Sequence, residues 1–213
     1  MPLGASFATV ARLCSAEEPV GAHRENIREQ LRESCRIKQS FSDELLTRIE
    51  TFAERSAAAL AAGHKMVLFG NGGSAADAQH LAAELVVRLS TERPALPAIS
   101  LTTNTSVLTA AGNDYGFERV FERQIESLVS HGDVVVAIST SGTSKNVVRG
   151  LDASKRRGAF RVALTGETGG DMATRVDLLL NVPSSNSQRI QEAHITIGHI
   201  VCSLIEQIRF PAR

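Results

Sequence analysis

The sequence has no tryptophan and only 4% aromatic residues, so a stacking platform for nucleic-acid bases is not expected. It also has no excess of either charge, with 23 Lys and Arg against 23 Asp and Glu. That balance argues against broad nucleic-acid binding, which needs a basic surface to displace counterions. Nor does it suggest a polybasic membrane anchor. Cysteine is scarce. Cys14, Cys35 and Cys202 are widely spaced and odd in number, which leaves no disulfide framework and no CxxC metal site. A reducing compartment suits such a chain. No apolar run reaches the ~20 residues needed to span a bilayer. The N-terminus lacks a basic segment followed by a long apolar one. The expected setting is cytoplasmic, with no membrane and no nucleic-acid partner.

What is present is enough apolar material for a core. Apolar residues make up 43% of 213, sufficient for one packed domain plus an extension. Residues 1–21 show no clear period and contain Gly4, Pro19 and Gly21, so they read as a flexible N-terminal arm. Residues 22–63 predict a helical hairpin. In its first half Ile27, Leu31 and Cys35 recur at every fourth position. In its second half Ser42 can open a helix, with Asp43 and Glu44 favoured in the first turn by the helix dipole. Leu45, Ile49, Phe52, Ala53, Ala57 and Leu60 then form an apolar stripe, and Gly63 is a natural stop.

Beyond Gly63 the rhythm is strand, loop, helix. Short apolar strands are expected at 65–69, 97–101, 133–138, 161–164 and 177–182. Helices are expected at about 75–89, 117–129, 146–157 and 189–208. Uninterrupted apolar strands between helices predict an α/β fold: a three-layer α/β/α sandwich around a five-stranded, flavodoxin-like parallel sheet. The hairpin and sheet together form one expected domain, residues 22–213. Ligands in such sheets bind at the carboxyl ends of the strands.

Two loops at those ends could hold phosphate. In Gly70-Asn71-Gly72-Gly73-Ser74 the glycines allow close backbone approach, and a helix follows whose free N–H groups favour an anion. The plainer reading is a tight turn with Ser74 as N-cap. The loop lacks the lysine of a P-loop and is a poor GxGxxG match. The second loop, Ser139-Thr140-Ser141-Gly142-Thr143-Ser144, places hydroxyls and a glycine after a buried strand. Hydroxyls and N–H groups can surround a phosphate without formal positive charge. Thr165-Gly166 and Pro183-Ser184-Ser185 also follow strands and read as turns or pocket walls.

Chemistry would need more than these loops. His80 and Glu84 are four apart on the helix after the first loop, so they share a face and could bind one cation, with Arg88 one turn further on. An isolated HxxxE pair is also what a solvated polar stripe looks like. On the last helix Gln191, Glu192, His194 and His199 interrupt an apolar run, where a lone His is commonly a satisfied core residue. In Gly112-Asn113-Asp114-Tyr115-Gly116, Asn113 and Asp114 could bond sugar hydroxyls or simply form a turn.

The stretches GNGGSAADAQHLAAEL, LPAISLTTNTSVLTAAGNDYGFERVF, GDVVVAISTSGTSKNV, LTGETGG and RIQEAHITIGHIVCSLIE jointly resemble the sugar isomerase (SIS) family, and within it the phosphoheptose isomerases. They cover nearly everything from about Lys65 to Phe210, and the helices from Ala22 fit the family's N-terminal hairpin. The resemblance implies a homotetramer with active sites between subunits. It implies conversion of D-sedoheptulose 7-phosphate to D-glycero-D-manno-heptose 7-phosphate through an enediol, the first step toward the heptose of lipopolysaccharide or related glycans. It implies one zinc ion per subunit, held by His80, Glu84, Gln191 and His199. The implied substrate contacts are Asn71, Gly72, Gly73, Ser74, Glu84, Asn113, Asp114, Ser139, Thr140, Ser141, Ser144 and Gln191. Glu84 and His199 are the implied acid–base pair.

Two points of tension accompany it. Gln191 and His199 are eight apart, or ~12 Å along a straight helix. Either the helix begins after Gln191 or the two act from different subunits, with His194 as a fallback ligand. The family also tends to carry Asp where this chain has Asn104, and Asp-Thr where it has Asn186-Ser187. Related proteins that bind the bacterial replication initiator share the fold and loops but typically alter the positions of Glu84 and His199. A sugar-phosphate sensor is the third reading, and no helix-turn-helix is evident to support it.

Overall fold

In the computed structural model, which describes Gly21 and residues 23–211, the chain opens with helices α1 (Arg24–Gln39) and α2 (Asp43–Ala61). The arm expected at residues 1–21 lies, except for Gly21, outside the described residues. Ser42 starts α2 as expected, its Oγ accepting from the N–H of Leu45 at 3.2 Å. The stripe Leu45, Ile49, Phe52, Ala53, Ala57 and Leu60 is buried. The α1 stripe is not: Ile27 and Leu31 are 56% and 63% exposed.

Next come β1 (Met66–Gly70), α3 (Gly73–Val86), β2 (Ala98–Ser100), α4 (Thr105–Tyr115), a 3₁₀ turn (Phe117–Arg119) and α5 (Val120–Leu128). They are followed by β3 (Val134–Ile138), α6 (Lys145–Arg156), β4 (Phe160–Thr165), a second 3₁₀ turn (Gly170–Met172), β5 (Leu178–Asn181) and α7 (Ser187–Arg209). The sheet runs β2-β1-β3-β4-β5, every pair parallel. One row across it is Leu68, Val136, Val162 and Leu178.

Side chains alternate between faces along a strand, which explains the three layers. Met66, Leu68, Val134, Val136 and Val162 point into a core with α2, α3 and α7. Val67, Phe69, Val135, Ala137 and Ala163 point into a second core with α4, α5 and α6. Both faces are covered, so β1 and β3 read as unbroken apolar runs. The chain leaves β1 for β2 on one side and β3 on the other. That reversal opens a crevice at the carboxyl ends of β1 and β3, where the two small-residue loops emerge.

Three expectations need correction. Residues 112–115 form the last turn of α4, a helix the sequence pattern did not announce, rather than a free turn. The N-cap of α3 is Gly72, and Ser74 lies inside the helix. Helix α7 begins at Ser187, before Gln191, so a late helix start cannot relieve the spacing between Gln191 and His199.

Candidate active site

The first loop follows β1 and the second follows its neighbour β3, so they stand side by side. They are tied together by a reciprocal amide pair. Asn71 Nδ2 donates to Asn146 Oδ1 and Asn146 Nδ2 donates to Asn71 Oδ1, both at 2.9 Å. The N-cap residues of α3 and α6 at these loops, Gly72 and Ser144, make no side-chain cap, although in α6 the Val147 N–H is taken by Asn146 Oδ1 at 3.0 Å. Side-chain oxygens cap α2, α4 and α7, while α1 and α5, away from the crevice, also start without one. Two open helix N-termini at one crevice make a place where negative charge is stabilised.

In the second loop Ser139 is buried and accepts from the N–H of Gly142 at 3.2 Å. Its Oγ lies 3.3 Å from Ser144 Oγ. Ser141 is exposed and accepts from the N–H and hydroxyl of Thr143. Gly142 has φ 67°, and a Cβ there would stand 2.2 Å from the carbonyl oxygen of Gly169, so only glycine fits. The Thr165-Gly166 and Ser184 turns brace this loop from behind: Gly166 N–H donates to Thr140 O and Glu167 N–H to Ser184 O. In the first loop Gly72 and Gly73 are exposed and Ser74 is 3% exposed.

Helices α3 and α7 run side by side in the same direction, as three contacts show. At the top, Gln191 lies over Gly73, where a Cβ would stand 2.6 Å from its Nε2. Midway, Gly198 admits Leu81, whose Cδ2 would be 2.5 Å from an added Cβ. At the bottom, Glu206 meets residues 89–91. Beside the middle contact His80 Nε2 and His199 Nε2 are 2.8 Å apart, and His80 Nε2 is 3.2 Å from Glu84 Oε1. The donor atoms of His80, Glu84 and His199 all lie within 4.8 Å of one another. Two imidazoles and a carboxylate form a donor set typical of catalytic zinc. Donors ~2 Å from a tetrahedral ion stand ~3.3 Å apart, close to these separations.

Other candidates fall elsewhere. His194, the fallback ligand, turns inward: it is 1% exposed and its Nε2 lies 3.1 Å from Thr165 O. Burial lowers its pKa to about 4, so it is neutral. Asn113 and Asp114 are exposed and bonded to each other at 2.8 Å. Asp114 lines a separate cavity of about 490 Å³ between α4, α5 and the β2 edge. Arg88 pairs with Glu92. The two departures from the family pattern have a shared explanation. Asn104 caps α4 through Val107 N–H and Asn186 caps α7 through Gln188 N–H, both at 3.1 Å. Asn and Asp are nearly equivalent N-caps.

Asp77 escaped the sequence reading. It lies one turn before His80 on α3, and burial holds its carboxyl above the usual range while His80 and His199 oppose that. Its Oδ2 is buried without a hydrogen-bond partner. The signal was there: Asp77, His80 and Glu84 share one helical face.

Residues 30–166 match the model of the SIS domain. The chain belongs to the SIS-domain family. It is 53% identical over 187 residues to a phosphoheptose isomerase of Geobacter sulfurreducens, covering 88% of this chain and 99% of that one. To the phosphoheptose isomerase of Aquifex aeolicus it is 52% identical, covering 86% and 96%. The solved phosphoheptose isomerase of Neisseria gonorrhoeae superposes with a TM-score of 0.82 at 43% identity, covering 86% and 98%. Within the family, the chain therefore falls among the phosphoheptose isomerases.

Proposed function

We infer that this chain isomerises D-sedoheptulose 7-phosphate to D-glycero-D-manno-heptose 7-phosphate, the first step toward the heptose of lipopolysaccharide or related glycans. The observation that carries the reading is the His80–Glu84–His199 cluster beside two open helix N-termini, in a chain about half identical to phosphoheptose isomerases. Initiator-binding relatives and sugar-phosphate sensors need the loops but not the cluster.

In this reading the loops grip the phosphate. The N–H groups at the start of α3 and α6 face it, with Ser74, Ser139, Thr140, Ser141 and Ser144 donating hydroxyls. Asn71 sets the spacing of the loops through Asn146. Asn113 and Asp114 are proposed to reach the sugar from a neighbouring subunit.

Moving a carbonyl along the sugar requires carrying a proton between adjacent carbons through an enediol. Glu84 takes and returns that proton. His199 serves the oxygens as acid and base. His80 and Asp77 orient the pair. A zinc ion held by His80, Glu84 and His199, with Gln191 supplied from a neighbouring subunit because it lies eight residues before His199 on the continuous helix α7, would polarise the sugar oxygens and stabilise the developing negative charge. Ligation weakens a carboxylate as a base, so Glu84 serves as ligand and base in different states. Exposed Ile200 follows His199 on α7, exposed Val86 and Val87 lie at the end of α3, and Ile27 and Leu31 bare an apolar stripe on α1. These surfaces support a homotetramer that closes its sites at subunit interfaces. Among the described residues no helix is long and apolar enough to cross a membrane, which accords with a cytoplasmic setting.

The test is incubation with sedoheptulose 7-phosphate, with and without chelator, reading the product by NMR. Conversion that chelation stops and zinc restores is expected. Unchanged sugar under metal-replete conditions would overturn the reading.

A further inference from the structure

The last carbonyls of a helix have no intrahelical partner, and α3 carries no basic residue in its own last turn. Two of those carbonyls, of Glu84 and Leu85, are taken by a side chain from outside the helix. Arg93 Nη2 donates to Glu84 O at 2.8 Å and Nη1 to Leu85 O at 2.7 Å. Nη1 also donates to Pro94 O at 3.1 Å, and Nε donates to Glu206 Oε1 at 3.1 Å. On α7, Glu206 accepts from the N–H groups of Leu89, Ser90 and Thr91 at 3.0, 3.2 and 3.0 Å, and from the Ser90 hydroxyl at 3.1 Å. Both charged side chains are 1% exposed. Burial works to raise the Glu206 carboxyl, but the N–H groups of Leu89, Thr91 and Ser90 outweigh it and hold it at about 2. The pair is permanently charged at neutral pH.

A buried ion pair is weak evidence for stability, and its best-attested use is to specify register. The place of this one gives it a register to specify. It grips the backbone of Glu84, whose carboxylate belongs to the cluster, and it holds α7 seven residues after His199. The cluster draws two donors from α3 and one from α7. Its geometry therefore depends on how the two helices slide and tilt against each other.

We propose that Arg93 and Glu206 are positioning residues for the metal site, locking the end of α3 against α7 so that His80 and Glu84 stay within reach of His199. The inference rests on the metal-dependent reading above. Its mechanism is geometric. A donor misplaced by about 1 Å costs on the order of 10²-fold in a catalytic site, and supporting contacts around metal ligands are typically worth about 10–100-fold in affinity or activity. The phosphate loops lie at the other end of α3, so sugar-phosphate binding is outside the pair's reach.

The experiment compares the full chain with Arg93→Lys, Glu206→Gln and the double variant Arg93→Met/Glu206→Leu. The double variant removes both charges and leaves no unpaired ion in the core, and Arg93→Lys, which keeps a cation beside Glu206, is the milder change where the others lose the fold. Circular dichroism checks folding. Cobalt(II) absorption and zinc–chelator competition read the metal site without any sugar. The expected result is metal affinity weaker by about 10–100-fold, with an altered cobalt spectrum. At saturating metal, kcat should fall by a similar factor while KM stays within about twofold. A folded double variant with the wild-type cobalt spectrum, zinc affinity and kcat overturns the proposal. Wild-type protein that binds cobalt but leaves sedoheptulose 7-phosphate unchanged counts against the isomerase reading alone.

Discussion

His80, Glu84 and His199 crowd their donor atoms within 4.8 Å of one another, while a few turns along the same helix pair Arg93 and Glu206 satisfy each other with 1% of either side chain exposed. Both groups join the α3 region to α7, and Glu84 belongs to both, by its carboxylate in one and its carbonyl in the other. The difference lies in completeness. Five donors converge on the Glu206 carboxylate, and the Arg93 guanidinium reaches four acceptors. In the cluster two imidazole nitrogens face each other at 2.8 Å, and the nearby Asp77 Oδ2 has no partner. Native structures leave few buried polar groups unpaired, so such a place calls for a ligand. Completed charge holds the fold; incomplete charge is available for chemistry.

The sharpest break in that contrast is Glu84→Gln. Turnover should fall by about 10²–10⁴-fold, as for loss of an acid–base group, with the fold and sugar-phosphate binding intact. Near-normal turnover in a folded, metal-loaded variant would contradict the contrast directly. At the other end Arg93→Met alone strands the Glu206 charge. That should cost about 3–5 kcal/mol in urea unfolding, far more than Glu84→Gln.

Acid should weaken the fold in two stages, the second of them at the Arg93–Glu206 pair. His194 has a folded pKa of about 4, below its ordinary 6.5, so its contribution is whole above 6.5 and is lost as pH falls toward 4. Glu206, held at about 2 against an ordinary 4.5, contributes fully above 4.5 and is lost as pH falls toward 2. Each is worth about 3 kcal/mol by linkage. Urea midpoints measured against pH should slope in both windows, and His194→Gln should flatten only the upper one. Gly198→Ala, which presses on Leu81, should cost about 1–3 kcal/mol by overpacking and widen the helix spacing. The smallest effect belongs to Asn104→Asp. Thermal unfolding should stay within about 0.5 kcal/mol, because either residue caps α4.

Most of the fold was legible in the sequence because β1 and β3 are buried on both faces and read as continuous apolar runs. Helix α4 was not, since Thr105–Tyr115 mixes Thr, Ser, Gly, Asn and Asp, all poor helix formers or turn formers. Its cap Asn104 and the packing of Leu108 and Ala111 against the second core override that composition. His80 and Glu84 could be paired from helical spacing, but joining them to His199 across 119 residues required family resemblance. Arg93 and Glu206 look like ordinary surface charges in one dimension. Their 113-residue separation hides a contact that only the folded chain displays. The same holds for Asn71 and Asn146, 75 apart.

The joined loops carry one more implication. From Gly70 to Ser74 and from Ser139 to Ser144 there is no ionisable side chain, and the Asn71–Asn146 bridge has no proton to lose. A phosphate monoester exchanges its second proton near pH 6, within the range where cells and assays operate. The loops' share of the pH dependence of sugar-phosphate capture should therefore belong to the ligand: their hydroxyls and peptide N–H groups keep a constant charge while the phosphate changes its own.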